Sequence, residues 1–199
     1  MNLAPLGSAM SVRFLKLAAK CDEGFTLIEM LVVTFIMAVV LAMSVGFYPQ
    51  AVQIVRGDAD LRIVYWELKL ARDTAITQRR TVEVRFTAPN IITTVRRNLP
   101  AGTTVLSTAV LEHNMQFMLF AAQPDTPDAF GRNVPIDFAG AVPVMFTPDG
   151  MLTDTNGNAV NGTVFLGQPG RPITSRALTV FGPTATIRTY RWNGAQWRR

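Results

Sequence analysis

The chain has 199 residues and a mass of 21.9 kDa, room for one domain of ordinary size with an appendage rather than two full domains. Hydrophobic residues make up 49% of it and charged residues 17%, with a mean hydropathy of +0.22. That is too apolar for a disordered chain and too mixed for a polytopic membrane protein. One cysteine and one histidine exclude a disulfide framework and CxxC or His-rich metal sites, and leave only His113 for a Ser-His-Asp or Cys-His device.

The apolar excess is local. Residues 30–48 carry no charge, and an uncharged stretch of this length crosses about 30 Å of hydrocarbon as a helix. Arg13, Lys16 and Lys20 precede it, so the positive-inside rule keeps the N-terminus in the cytoplasm and sends everything after Pro49 across the membrane. A secretory signal peptide is the competing reading. Its apolar run is shorter, about 7–15 residues, and no small-x-small cleavage site such as Ala-x-Ala closes this one cleanly, while Asp22, Glu23 and Glu29 crowd its start. Glu29 itself costs roughly 2–3 kcal/mol if placed at the centre of a lipid-embedded helix, and such residues mark a function or a partner. Near the helix start it also fits the headgroup zone, where the cost is lower.

Past Pro49, apolar residues recur every three or four positions at Val52, Val55, Ala59, Ile63, Trp66 and Leu70. This spacing predicts an amphipathic helix reaching about Gln78, with that stripe packed on a domain. Counted from Phe25 the helix has about 54 residues, on the order of 80 Å, with Gly46 and Pro49 available to bend it.

After Arg80 the period falls to two. Val82, Val84 and Phe86 alternate with Thr81, Glu83 and Arg85, and Ala88-Pro89-Asn90 turns the chain into a second strand at 91–97. Further strands are predicted at 103–107, 115–120, 134–138, 142–147, 163–167, 176–182 and 185–192, between clusters of Pro, Gly, Asn and Asp. So many short strands fold most simply as two packed antiparallel sheets, an α+β architecture.

Candidate chemistry is sparse. Asp154, Asn156 and Asn158, with Asp149 upstream, alternate oxygen donors as a calcium loop does, but Ala159 stands where glycine is needed and no bidentate glutamate follows. An Asn-Gly hairpin turn explains the same residues. His113 has no nucleophile pattern beside it and reads as a loop histidine. No metal and no cofactor is expected, and no glycine-rich phosphate loop is present in the sequence. Charge is more informative. Residues 49–199 hold 16 basic side chains, 15 of them arginine, against 11 acidic ones, and no acidic side chain follows Asp154. Arg188, Arg191, Arg198 and Arg199 alternate with Tyr190, Trp192 and Trp197, a composition suited to phosphate contact and base stacking. A final strand with a solvated arginine face and its aromatics on the sheet is the simpler account of the same residues.

Gly24-Phe25-Thr26-Leu27-Ile28-Glu29-Met30-Leu31-Val32 resembles the cleavage and methylation site of type IV prepilins and of the pseudopilins of type II secretion. The resemblance implies cleavage after Gly24 by a prepilin peptidase, N-methylation of Phe25, and a role for Glu29 in filament assembly by pairing with the N-terminal ammonium of a neighbouring subunit. Residues 1–24, including Cys21, are then a removed leader, 25–48 the membrane and filament-core helix, 49–79 the amphipathic helix, and 80–199 a periplasmic β domain. Asp22 and Glu23 depart from the basic leaders of that family.

A second likeness lies downstream. Residues 68–84, with Ala71-Arg72 and Ala75-Ile76, the Phe146-Thr-Pro-Asp-Gly150 turn and the segment 178–190 resemble the GspH/FimT group of minor pilins and pseudopilins, while 101–142 matches no pattern. This implies a type IV pilin-like fold and a non-enzymatic minor pseudopilin in the inner membrane. Its implied partners are other pilin subunits, the peptidase, and an assembly platform with a cytoplasmic ATPase. The alternative is a FimT-like minor pilin that binds DNA in uptake. Thr186-Ile187-Arg188-Thr189-Tyr190-Arg191 lacks the glycine of the Gly-Arg-x-Arg element of that subgroup.

Overall fold

A computed structural model describes residues 24–140 and 142–199, without the side chains at 46, 47, 49 and 50. The expected leader, Cys21 included, lies outside the described residues except for Gly24. One helix, α1 (Leu27–Gln78), contributes to two compact units, Met1–Val45 and Gly46–Arg199.

In the first unit, residues Leu27–Val45 form a helix with a mean hydropathy of 2.5 whose residues are all exposed, long and apolar enough to cross a membrane. Apolar residues surround it on every side, so no single face could be hidden by packing within one chain. Its hydroxyls return to the helix backbone: Thr34 Oγ1 donates to Met30 O (2.9 Å) and Leu31 O (3.0 Å), and Ser44 Oγ to Val40 O (2.9 Å). These bonds leave no hydroxyl hydrogen unpaired in lipid.

In the second unit, two antiparallel sheets enclose one core. The strands are β1 (Val82–Thr87), β2 (Ile91–Arg97), β3 (Thr103–Val110), β4 (Gln116–Phe117), β5 (Ile136–Asp137), β6 (Val144–Phe146), β7 (Leu152–Thr153), β8 (Gly162–Gln168), β9 (Arg171–Phe181), β10 (Thr186–Trp192) and β11 (Trp197–Arg198). The first sheet has the order β3-β2-β1-β6-β7 and the second β11-β10-β9-β8-β4, with β5 also on β8. Leu61, Val64, Leu68, Ala71 and Ala75 of α1 are buried in the same cluster as Val82, Ile92 and Phe146 of the first sheet and Val164, Leu178 and Val180 of the second. Small Ala71 and Ala75 let the backbones approach closely.

The buried stripe corrects the one read from the sequence. Val55, Trp66 and Leu70 are exposed, Trp66 with Lys69 Nζ 5.0 Å above its ring. Two apolar stripes of the same period overlap along this helix. The one rich in β-branched and aromatic residues was the easier to read, whereas the core takes the stripe of Leu61, Val64, Leu68 and two alanines.

Five side chains of the helix hydrogen-bond to the strands and loops around it. Asp58 Oδ1 accepts from Arg176 Nε on β9 (2.5 Å), and Asp60 Oδ1 from the Glu112 amide (2.7 Å). Glu67 Oε2 accepts from Thr94 and Ser107 in the first sheet, Arg72 Nε donates to Gly150 O (3.2 Å), and Gln78 Oε1 accepts from Arg96 (2.8 Å).

Candidate functional site

The N-terminal motif begins ahead of the helix. Gly24, Phe25 and Thr26 have no regular structure, a Cβ on Gly24 would meet nothing within 4 Å, and Phe25 is exposed. Thr26 is the N-cap: the Glu29 amide donates to its Oγ1 (3.2 Å), and the Glu29 and Met30 amides donate to its carbonyl. Glu29 is therefore the acidic residue of the first turn, where the positive end of the helix favours a carboxylate. The spacing from Thr26 to Glu29 is that of a capping box, a local reason for a glutamate at this position.

Alternate residues of β10 point to opposite faces of the sheet, so Arg188 lies on the face of Tyr190 and Trp192 while Arg191 lies on the other. On the outer face Tyr190, Trp192 and Trp197 join Phe165 and Ala177 in a second core, exposed only 6%, 7% and 8%. Trp192 and Trp197 meet edge to face at 5.3 Å, and Trp197 Nε1 donates to Pro124 O (2.8 Å). None of the three rings can stack on a base. Of the two readings of this segment, the burial fits the one with its aromatics packed on the sheet, and Arg188, Arg191, Arg198 and Arg199 are exposed.

Asp128 organises this face. It accepts from Thr179 Oγ1 (2.6 Å), Tyr190 OH (2.9 Å) and Arg188 Nη1 (2.5 Å). Burial pushes its carboxyl up, but these three hydrogen bonds outweigh it and hold the group below the usual aspartate value. Asp137 balances the same way, with burial opposed by the Arg132 guanidinium at 3.1 Å.

On the inner face, Arg176 is fully buried. Besides Asp58 it donates to the carbonyls of Ile54 (2.9 Å), Ile173 (3.2 Å) and Ser175 (2.8 Å). Arg191 approaches the other oxygen of Asp58 at 3.5 Å. Beside this pair runs a groove of about 500 Å³ whose lining includes Leu61, Arg198 and Arg199. The sequence offered no signal for it, since Asp58 and Arg176 are 118 residues apart.

Asp154 is folded onto its own turn, accepting from the amides of Asn156 and Asn158 (2.8 Å each) and from Asn158 Nδ2 (3.1 Å). His113 Nδ1 lies 3.6 Å from Oδ2 of the buried Asp60, an oxygen with no hydrogen-bond partner among the described residues. Burial pushes the Asp60 carboxyl above its ordinary value, the Glu112 amide and His113 only partly opposing it.

The segments that resemble the GspH/FimT group meet in space. Arg72 holds the Phe146–Gly150 turn through its bond to Gly150 O, and a Cβ on Gly150 would crowd Ile76 Cδ1 at 2.9 Å. Gly150 also has φ +80°, which a side chain adopts only with strain. The family model for the prokaryotic N-terminal methylation motif matches residues 20–45, and that for the type II transport protein GspH matches residues 62–184. The chain belongs to the GspH family. Two structures of the minor pseudopilin EpsH from the type 2 secretion system of Vibrio cholerae are similar to it, at 14% and 13% identity and TM-scores of 0.47 and 0.44. The matches cover 68% of this chain in both cases, and 97% and 94% of the EpsH chains. No curated protein matches the chain. The GspH match takes in the Arg72–Gly150 contact and most of both sheets, and stops short of Arg188, Arg191 and β11.

Proposed function

We propose that the protein is a minor pseudopilin of a type II secretion system, a structural subunit rather than an enzyme. It is inserted in the bacterial inner membrane with the N-terminus cytoplasmic and residues 80–199 periplasmic, cleaved after Gly24, N-methylated at Phe25, and assembled at or near the tip of the pseudopilus. The observation that carries the reading is the pairing of two matches on one chain, an N-terminal methylation motif over residues 20–45 and a GspH domain over 62–184.

The physics of the motif supports it. Cleavage leaves a new ammonium at Phe25, next to the positive end of α1 and at the edge of lipid, a doubly unfavourable place for a cation. A carboxylate neutralises it, and Glu29 is the only charged residue between Phe25 and Arg56. A Glu29 side chain from a neighbouring subunit would set the register between helices, and the leader would prevent this by blocking the amine. The exposed Val55, Trp66 and Leu70 offer a further apolar stripe for neighbouring subunits. A prepilin peptidase, a membrane assembly platform and a cytoplasmic ATPase are the partners this reading requires.

The test is the intact mass of the protein from cells with and without prepilin peptidase. A mature chain starting at methylated Phe25 only in the presence of the peptidase is the expected result, and a start at any other residue refutes the assignment. Glu29→Ala is expected to be cleaved normally and excluded from filaments. Normal incorporation of that variant refutes the pairing role.

A further inference from the structure

We infer that the groove between α1 and the open edge of β10 receives an extended acidic segment of a partner protein as an added strand. This is a separate site from the Gly24–Glu29 motif and does not depend on its processing. The edge is the first observation. β10 pairs with β9 from Thr186 to Arg191, but with β11 only at Arg191 and Trp192. Residues 186–190 therefore have an unpaired side among the described residues, about 17 Å of strand at 3.4 Å per residue. Thr-Ile-Arg-Thr-Tyr has no proline and no bulge, and four of its five residues favour a strand; the charge of Arg188 blunts the edge only against strands of like sign.

The groove is the second observation. Beside this edge a cleft of about 480 Å³ has Leu61, Tyr65 and Ile187 as apolar lining and Arg62, Arg188 and Arg199 as its cations. Apolar pockets beside an open edge take alternate side chains of an incoming strand, whose backbone supplies the hydrogen bonds. The cations set the partner's sign. Arg188 is engaged by Asp128, while Arg62, Arg198 and Arg199 have no carboxylate partner among the described residues. The acidic side chain in the wall, Asp58, is already shared by Arg176 and Arg191. Arginines along an edge reject another basic strand, a second copy of β10 included, and admit an acidic one. Peptide fits better than nucleic acid, because the nearby rings of Tyr190, Trp192 and Trp197 are buried and the cleft itself offers a single aromatic ring, Tyr65, for a base to stack on.

The experiment uses the full chain in a non-ionic detergent and a fluorescein-labelled peptide alternating glutamate and valine, followed by fluorescence anisotropy. A second peptide carries N-methyl groups on every other amide, which removes edge donors and leaves its charge unchanged. Saturable binding of the first peptide is expected. It should fall about tenfold or more, both for the N-methylated peptide and for Arg62→Glu combined with Arg199→Glu, a variant whose circular dichroism should match that of the parent protein. Three results overturn the proposal: no binding of the first peptide, equal binding of the N-methylated one, or displacement by duplex DNA at lower charge concentration than by unlabelled peptide.

Discussion

The two halves of α1 place the same kinds of residue under opposite conditions. Over Leu27–Val45 the apolar side chains encircle the helix and none is buried, whereas from Leu61 to Ala75 they form a single stripe and are buried beneath two sheets. The difference lies in what completes each half. The second half finds its partners within the chain, in strands as far along the sequence as β9. The first contains no complementary surface and needs lipid or other helices around it. A helix of either kind can form locally, but only the surroundings decide whether its apolar surface stabilises a fold or an assembly.

The sharpest way to break this comparison is to cut the packed half. Leu68→Ala removes a fully buried side chain at the meeting of both sheets and is expected to cost about 4 kcal/mol in urea unfolding, while membrane fractionation stays unchanged. Arg176→Ala is expected to cost about 3 kcal/mol by leaving a cavity and stripping the Ile173 and Ser175 carbonyls of a donor. Arg176→Met should recover part of this loss by refilling the volume. The reverse cut is Ile36→Arg, mid-way along the exposed half. It is expected to raise the cost of membrane insertion by about 2.5–3.5 kcal/mol, seen as a larger soluble fraction, with the urea midpoint of the packed unit unaltered. If Ile36→Arg shifts that midpoint as far as Leu68→Ala does, the two halves are not independent in the way described.

Smaller effects separate two carboxylates within the packed unit. Asp128 is held below the ordinary aspartate value, so its stabilising contribution is present above about pH 4 and is lost as the pH falls through its folded-state value. Asp60 is raised, so its contribution runs the other way, present below about pH 4 and lost as the pH rises through its folded-state value. Asp128→Asn is therefore expected to lower stability at pH 7 by about 1 kcal/mol, with the difference from the parent shrinking in acid. Asp60→Asn should raise it at pH 7 by about 0.5–1 kcal/mol. Thermal unfolding of both variants across pH 3–8 checks the two signs together.

Much of the architecture was legible because it is local. The helix ends at Gln78 as its period predicts, the first hairpin falls at Val82–Thr87 and Ile91–Arg97, and the two-sheet arrangement follows from strand number and turn spacing. Strand lengths were less legible. β9 begins at Arg171, five residues before the predicted start, because Pro172 can sit early in a strand. The short β7 and β11 were missed, since two residues show no period. At the N-terminus, consecutive residues carry the whole signal, and the motif could be read directly. The C-terminal surface left two readings open for the opposite reason. Alternation of arginine with aromatic residues fixes which residues share a face and says nothing of what covers it. The loop bearing Pro124 and Asp128, which closes over Tyr190 and Trp197, comes from the stretch that resembles no pattern.

The polar fastenings between Asp58 and Gln78 have a mechanical consequence. Arg176 grips the helix at Ile54 and Asp58, Glu67 is tied to the first sheet, and Arg72 is tied to the Gly150 turn. A pull along the axis of this segment loads these bonds and the buried stripe of Leu61, Val64, Leu68, Ala71 and Ala75 in parallel, as shear. They have to fail together rather than one after another. A subunit drawn out of a membrane by its helix would carry its β domain with it.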